Sequence, residues 1–581
     1  MNNQINKKQM FDELINNLLN LNKSNSTKIN QIKQDISKKY NFNGIIKNTQ
    51  IIANCSNSKR NQIIKILNIK PIREASGVTV VALFAKPHSC PHGKCIYCPG
   101  GPNSEFGDTP QSYTGSEPAA LRAIRNNYDP YLQIFNRLEH YCVNGHLPDK
   151  IELIFMGGTF PSLDKIYKDE FVNFTYKAIN DFGDNFINFD EKNKKYINYD
   201  KLNDFFELKN MDLNSISRQK SIQTKILKLK QKNITNYKFE IKKAETGNLR
   251  PIGLTIETKP DWMLEKHCKE SLDYGGTRFE VGVQTLNNNI LKKVNRGHDI
   301  NATIKSFEIA KDMCFKLNAH MMLGLPGSNN QEDKKSLINL YDDERFRPDM
   351  LKIYPCLVIK GTPLYKLFKL GKFTPIETQQ AAEIIAESYK YFPRYTRVMR
   401  VQRDIPTQNI DGGVQNSNLR QYVEKEMIKL NVVSKDIRER EIGLRTLKGS
   451  INSKDFKINI EKYDSSGGID YFLDVVNELD TLIGFIRLRF PKNTNLIKEI
   501  DKKTALIREL HIYGQTISVG DSKNSKKHQH IGWGKKLLEN AEQIAKQHGY
   551  TKIAIISGIG VREYYRKFDY FLEGNYMCKN I

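Results

Sequence analysis

VTVVALF at Val78–Phe84 runs almost directly into KPHSCPHGKCIYCPGGP at Lys86–Pro102, and this passage decides how the chain is read. A short apolar run closed by lysine and proline predicts a buried strand. The loop that follows gathers Cys90, Cys95 and Cys98 at C-x4-C-x2-C spacing. Three thiolates on one tight loop can ligate a metal centre. A structural zinc wants four ligands, and His88 or His92 can supply the fourth. The other reading is a four-iron cluster on three cysteines, with one iron left open to chelate the amino and carboxylate groups of S-adenosylmethionine. Cys55, Cys142, Cys268, Cys314, Cys356 and Cys578 are scattered, as expected of small buried hydrophobes.

Outward from this loop the pattern is regular. Leu121–Cys142 reads as a helix, and Ile151–Met156 as a strand ending at Gly157-Gly158-Thr159. Glycines there let a backbone approach a ligand closely. Asn173–Lys243 reads as a polar, Lys/Asn-rich helical elaboration. Ile252–Glu257, Arg278–Val283, Ala319–Leu323 and Met350–Pro355 read as strands, with helices near Trp262–Tyr274 and Ile300–Leu317. This alternation predicts a parallel β/α architecture, barrel-like or doubly wound, with ligands at the C-terminal strand ends. A linker-like zone follows at Tyr391–Gly413. From about Glu441 the texture is α+β: antiparallel strands at Tyr471–Asn477, Thr481–Phe490 and Thr504–Tyr513, a helix at Gly534–His548, a strand at Lys552–Ser557 and a short helix at Val561–Phe568. QHIGWG at Gln529–Gly534 opens that helix, where free backbone N–H groups can cradle a pyrophosphate.

Composition bounds the function. The chain has 581 residues, with 90 Lys and Arg against 65 Asp and Glu, a formal charge of +25. Residues 1–70 hold twelve basic against three acidic residues, and Arg218–Lys243 nine against one. Phe11, Leu14, Ile15, Leu18 and Leu19 give the first stretch helical periodicity. Apolar runs such as Val78–Ala85 fall far short of the roughly 20 residues that span a bilayer, and MNNQINKKQMFDEL lacks the apolar core of a signal peptide. The expectation is a cytoplasmic protein with a polyanionic partner and no membrane contact.

The cysteine loop with the Gly157-Gly158 turn resembles the radical S-adenosylmethionine superfamily, one residue longer than its usual C-x3-C-x2-C. The C-terminal region resembles the GNAT acetyltransferase fold. Together with QSYTGSEPAALRAIRNNYDPY, GLTIETKPDW, RFEVGVQT, HMMLGLPGS, LKIYPCLVIKGTPLY, RVQRDIP and YYRKFDY, the chain from about Arg73 onward resembles the elongator protein three family, the catalytic subunit of Elongator. The resemblance implies an α/β fold: a partial TIM-like (β/α) radical SAM barrel at 73–392 with an insertion near 173–245, a linker region at 393–445, an α+β GNAT domain at 446–581, and a basic helical tRNA-binding region at 1–72.

It also implies an activity. The family makes 5-carboxymethyluridine at the tRNA wobble position, with a [4Fe-4S] cluster, S-adenosylmethionine and acetyl-CoA. By motif, Cys90, Cys95 and Cys98 would hold the cluster. Gly157, Gly158, Thr159, Glu257 and Gln284 would face S-adenosylmethionine, with Lys352 catalytic at the same barrel end. Gln529, His530, Gly532 and Gly534 would hold the coenzyme A pyrophosphate, and Tyr564 and Tyr565 would stand at the thioester. The anticodon loop of tRNA is the expected partner, with a homodimer or Elongator-like accessory subunits. Residues 1–70 and the arginines Arg394, Arg397, Arg400 and Arg403 are the expected tRNA surfaces, interdomain salt bridging being the alternative for the four arginines. Lys259 stands where the family often has arginine, which keeps the charge and loses the fork. Ser434, Asp436 and Glu439 replace cysteines that relatives carry, so charge pairs with Arg438 or Arg440 are expected in place of a metal. The rival functions are a protein lysine (histone-type) acetyltransferase with a structural iron–sulfur domain, and a non-catalytic RNA-binding scaffold.

Overall fold

The structure, a computed structural model, describes residues 2–21, 25–67, 77–209, 215–447, 455–513 and 532–581. Seven strands form one all-parallel sheet in sequence order: β1 (Val78–Phe84), β2 (Lys150–Met156), β3 (Arg250–Thr258), β4 (Arg278–Gln284), β5 (Lys316–Leu323), β6 (Met350–Pro355) and β7 (Arg397–Arg400). Parallel neighbours need a crossover between each pair, and helices supply it. Every residue of β4 is buried, Arg278, Glu280 and Gln284 included. Charge inside a fully buried strand points to an interior that is polar by purpose.

Four short helices precede the sheet: α1 (Asn2–Leu19), α2 (Ser26–Lys39), α3 (Asn48–Asn54) and α4 (Asn57–Leu67). The periodic Phe11, Leu14, Ile15 and Leu18 of α1 are buried, while Lys7, Lys8, Lys28, Lys38 and Lys47 are exposed. The expected single helix over Leu121–Cys142 is two, α5 (Pro118–Arg125) and α6 (Pro130–Val143). Asn127 and Tyr128 take positive φ between them, and Pro130 disfavours helix at the residue before it. The segment Asn173–Lys243 is less peripheral than its composition suggests. It begins inside α7 (Lys165–Phe186), whose Phe171, Phe174, Phe182 and Phe186 are buried.

A second seven-stranded sheet follows: β8 (Lys457–Ser465), β9 (Gly468–Val476), β10 (Leu482–Phe490), β11 (Thr504–Ile512), β12 (Lys552–Ile556), β13 (Phe571–Glu573) and β14 (Tyr576–Asn580), in the order β8-β9-β10-β11-β12-β14-β13. It is antiparallel except where β11 pairs β12. Helix α8 (Trp533–Gln547) covers one face with Leu537, Leu538, Ala541 and Ala545. The stretch Tyr391–Gly413 is not a linker. It contains β7, which completes the first sheet against β6.

The second sheet plugs the N-terminal ends of the first. Arg508 donates to the carbonyl of Phe315, next to β5, and to Asp349, which precedes β6. Arg487 donates to the carbonyl of Tyr395, ahead of β7. Arg508 also reaches Asp470 at 3.1 Å, and Arg489 binds Asp312 and Asp470. All three arginines are fully buried. Burial opposes the charge of Asp349, but Arg508, Arg487 and Lys311 outweigh it and hold the carboxyl far below its usual range.

Candidate active site

The C-terminal ends of β1 to β4 carry the residues expected at the cluster and S-adenosylmethionine, while Lys352, expected beside them, is the third residue of β6 and lies deeper in the half-barrel. After β1 the cysteine loop is pinned from across the barrel mouth: Ile96 N–H donates to the Val294 carbonyl, and Asn295 Nδ2 to the Lys94 carbonyl. Cys95 and Cys98 are buried and Cys90 is partly so. His92 Nε2 lies 3.3 Å from Cys95 Sγ, and its Nδ1 is held at 2.8 Å by Lys259 Nζ. Burial, then Lys259 and Arg296, push the imidazole down to about 4, so it stays neutral. His88 instead stands at the Lys86 carbonyl and Ser162. Among the described residues no three His, Cys, Asp or Glu side chains stand where one metal ion could be shared. A cubane of four irons separates its thiolates more widely than a single ion does.

The donor set fits such a cluster. Three thiols share one loop, Arg296 and Lys259 bring positive charge to it, and the buried hydroxyl of Tyr97 beside them has no partner among the described residues. Burial and the Cys95 sulfur push the Cys98 thiol up to about 11, so a thiolate there wants cationic company.

Gly157 and Gly158, with φ of 136° and 93°, turn under this loop after β2. A Cβ on Gly158 would lie 2.8 Å from that of Gln111, whose side chain accepts from Cys98 Sγ at 3.0 Å. Thr159 is fully buried, 3.9 Å from Cys90 Sγ. Gln284 takes φ of 76° at the end of β4, and its Oε1 is buried without a partner among the described residues. An unsatisfied buried acceptor on a strained backbone at a strand end is what an incoming donor would answer.

Glu257 accepts from the Tyr113 hydroxyl at 2.9 Å and from the backbone of Gly157. Burial, then the neighbouring Glu280, raise its carboxyl to about 7. A carboxyl raised from about 4.5 to about 7 by folding favours the native state below the lower value, and that contribution is gone once the pH has risen through the upper. Glu257→Gln is therefore expected to be more stable than the parent at pH 8, by up to about 3 kcal/mol, and to lose most of that advantage at pH 4.5. Urea unfolding at the two pH values reads the difference. Equal stability changes at both would refute it.

Sequence reasoning missed the hub of the site. Glu280, 2% exposed, accepts from Lys352 Nζ, from His320 Nε2 at 3.0 Å and from Asn318 Nδ2 at 3.3 Å. Burial opposes ionisation of Glu280, but Lys352 and His320 outweigh it and keep the carboxylate charged. Burial pulls Lys352 the other way, and Glu280 raises it above its ordinary value. An acid at the third position of a strand, followed by the apolar run Val281–Val283, was the available signal.

The interior is charged from floor to mouth. At the floor, β11 turns Glu509 and His511 toward Arg278, Lys316 and Glu152. Glu280 and Lys352 lie above them, and Glu257 with Tyr113 stands at the mouth. At about 3.3 Å per residue, the six residues of β6 span roughly 20 Å.

In the second sheet β11 pairs β12 only from Thr504 to Ile507 and then runs on to Ile512. The strands part there, leaving a wedge. Gly532 caps α8 with φ of 94°, and among the described residues no side chain caps the helix N-terminus, which can therefore take an anion. Gly534 sits between Ile512 and the Tyr564 hydroxyl, where a Cβ would collide with the latter. The structure thus separates the tyrosine pair. Tyr564 reaches the wedge, and Tyr565, 5% exposed, packs in the core. Gln529 and His530 lie outside the described residues.

The four arginines expected at a tRNA surface all have partners within the chain, but only Arg394 and Arg397 reach across the domain junction, and Arg400 stays 45% exposed. Arg394 pairs Asp474 and Asp480, Arg397 binds Glu441 and Tyr513, Arg400 binds Asp404, and Arg403 donates to the Ser112 carbonyl. The expected pairs at 434–440 also differ. Arg440, fully buried, binds Asp474 and Asp480, while Asp436 caps the turn beginning at Ile437 and accepts from Val398 N–H.

A cysteine-looped parallel half-barrel closed at its floor by an acetyltransferase sheet defines a two-domain radical SAM–GNAT protein. Sequence-family models agree: Radical SAM superfamily over 223–337, Radical_SAM C-terminal domain over 348–429, Acetyltransferase (GNAT) family over 444–570, and ELP3 N-terminal domain over 7–75. The chain is 41% identical over 559 residues to the tRNA uridine(34) acetyltransferase of Methanocaldococcus jannaschii, covering 95% of this chain and 94% of that one. It is 37% identical over 558 residues to Elongator complex protein 3 of Homo sapiens, covering 95% and 93%. The solved structure of archaeal Methanocaldococcus infernus Elp3 with an N-terminal deletion matches at a TM-score of 0.68 and 35% identity, over 87% of this chain and 100% of that one. The chain belongs to the Elp3 family. The radical SAM match implies a [4Fe-4S] cluster and S-adenosylmethionine, and the GNAT match implies acetyl-CoA. Among the described residues, no helix is long and apolar enough to cross a membrane.

Proposed function

We propose that this protein carboxymethylates C5 of the wobble uridine in tRNA, drawing the two carbons from acetyl-CoA. The observation that carries the reading is the run of buried charged groups through the half-barrel, Glu509, His511, Glu280, Lys352 and Glu257, between the cysteine loop at one end and the acetyltransferase sheet at the other. Relatives named for action on tRNA uridine(34) supply the substrate. When bound, the cluster and S-adenosylmethionine supply a carbon radical able to take hydrogen from a methyl group.

The chain's own residues do the rest. Cys90, Cys95 and Cys98 would hold the cluster, and Gly157, Gly158, Thr159 and Gln284 would seat S-adenosylmethionine by close backbone approach and polar contact. The open N-terminus of α8 at Gly532 would take the coenzyme A pyrophosphate, with Tyr564 beside the thioester. Lys352, held as a cation by Glu280, would hydrogen-bond the carbonyl oxygen of the acetyl thioester while its methyl group loses a hydrogen atom. Glu257, poised near pH 7, would accept the proton lost from C5 as the uracil adduct radical gives up one electron, an oxidation that the cluster would supply. Exposed lysines on the N-terminal helices and Lys220, Lys228, Lys232, Lys238 and Lys242 of the insertion would meet tRNA phosphates, with salt-dependent affinity.

The test is direct. Protein reconstituted anaerobically with iron and sulfide is incubated with tRNA, S-adenosylmethionine and acetyl-CoA labelled in its methyl group. The expected products are 5′-deoxyadenosine and labelled uridine in tRNA, both abolished by Cys95→Ala. Label on protein lysine that survives Cys95→Ala, with none in tRNA, would overturn the proposal in favour of lysine acetylation.

A further inference from the structure

The three cysteines are not equivalent in the hydrogen bonds they receive. Among the described residues Cys90 has only Thr159 Oγ1, at 3.9 Å. Cys98 accepts from Ser112 N–H at 3.1 Å. Cys95 faces two cationic or cation-directed donors: His92 Nε2 at 3.3 Å and Arg296 Nη1 at 3.7 Å. Arg296 is itself anchored by the Gly282 carbonyl at 2.7 Å.

The His92 contact is set from behind. Lys259 Nζ, on a side chain 2% exposed, lies 2.8 Å from His92 Nδ1. An ammonium only donates, so Nδ1 must accept and the ring proton sits on Nε2. That tautomer aims its N–H at Cys95 sulfur. The ring is also held in place by backbone. Gly297, at φ of 76°, packs against His92 so closely that a Cβ there would strike the imidazole. Asp261 Oδ2, 3.3 Å from Lys259 Nζ, keeps the ammonium in position.

The geometry points to a Lys259–His92 relay that donates a hydrogen bond to the Cys95 thiolate and thereby raises the reduction potential of the cluster. Reduction adds negative charge to a thiolate-bound cluster, and a hydrogen bond to a ligating sulfur stabilises the more negative state. Lys259 and His92 are positioning residues here, for neither needs to touch substrate. The inference rests on the reading that Cys90, Cys95 and Cys98 hold a four-iron cluster.

Iron and sulfide content settles that underlying reading first: a parent protein that binds no cluster defeats the functional proposal and this one with it. Given a loaded parent, mediated redox titration followed by electron paramagnetic resonance tests the relay alone. At the parent's midpoint potential, His92→Leu is expected to show a reduced-to-oxidised ratio about tenfold lower, equivalent to a drop of about 59 mV for one electron. His92→Gln, which keeps an N–H at the same reach, is expected to recover at least half of that drop. Lys259→Met leaves the ring but frees its tautomer, so its potential should fall in the same direction by less. If His92→Leu fails to load, Lys259→Met decides. A fully loaded His92→Leu or Lys259→Met with the parent's potential overturns the relay.

Discussion

Arg508→Met is expected to destabilise the protein by about 3–5 kcal/mol, the largest effect of any single substitution at the domain junction. The Arg508 guanidinium is fully buried between Asp349, at 2.6 and 2.7 Å, and Asp470, at 3.1 Å. Removing it strands charge in a dry interface, and breaking one side of a buried pair costs that much even when the volume is refilled. Asp349 keeps Arg487 at 3.5 Å, and Asp470 keeps Lys311 and Arg489, so some of the loss is absorbed. The loss should be confined to the junction. Denaturant unfolding is expected to change from one cooperative transition to two, because the half-barrel and the acetyltransferase sheet each keep a core. Lys165→Met, which removes an exposed pair with Asp169, serves as the control and should cost under about 1 kcal/mol. A loss at Arg508 no greater than at Lys165 would show that the buried network does not hold the domains together.

Glu280→Gln is expected to lower formation of the modified uridine by on the order of 100-fold, with the cluster still loaded. The substitution is isosteric, so the strand keeps its shape. What it removes is the negative charge that holds Lys352 and His320. Burial alone pulls the Lys352 ammonium toward neutrality, and Glu280 is what raises it. Without Glu280 the lysine should lose its proton at lower pH, so the alkaline limb of the rate profile should move down. Turnover measured from pH 6 to 9, with iron content and unfolding midpoint checked alongside, reads this. Unchanged turnover, or a loss explained wholly by missing iron, would remove Glu280 and Lys352 from the chemistry.

The site was legible where chemistry leaves a local spacing. Cys90, Cys95 and Cys98 announce themselves within nine residues, and Gly157-Gly158 follows a clear strand. Strands with apolar runs, such as Met350–Pro355, lie where their pattern put them. What was hidden depends on pairing across long sequence distances. Arg394 and Arg397 read as a basic surface because nothing local tells that Asp474 and Glu441 will meet them. β7 reads as a linker because four residues with arginine at both ends carry no apolar run, and only the neighbouring β6 makes them a strand. The Lys/Asn-rich stretch after Asn173 hides the buried phenylalanines of α7 behind its average composition. Glu280 was overlooked because its partners Asn318, His320 and Lys352 come from two other strands. Of the tyrosine pair, the placement of Gly534 and the burial of Tyr565 tell one from the other, and neither is local in sequence.

The acetyltransferase sheet closes the N-terminal end of the half-barrel, tied there by Arg487 and Arg508. On the proposed function a nucleotide base would arrive from the cysteine side and an acetyl thioester from the wedge side, so neither would stand in the other's path. In kinetic language, acetyl-CoA and tRNA would load through separate doors, and neither should inhibit binding of the other at high concentration. Spent coenzyme A would then leave by its own door while the modified uridine is still seated.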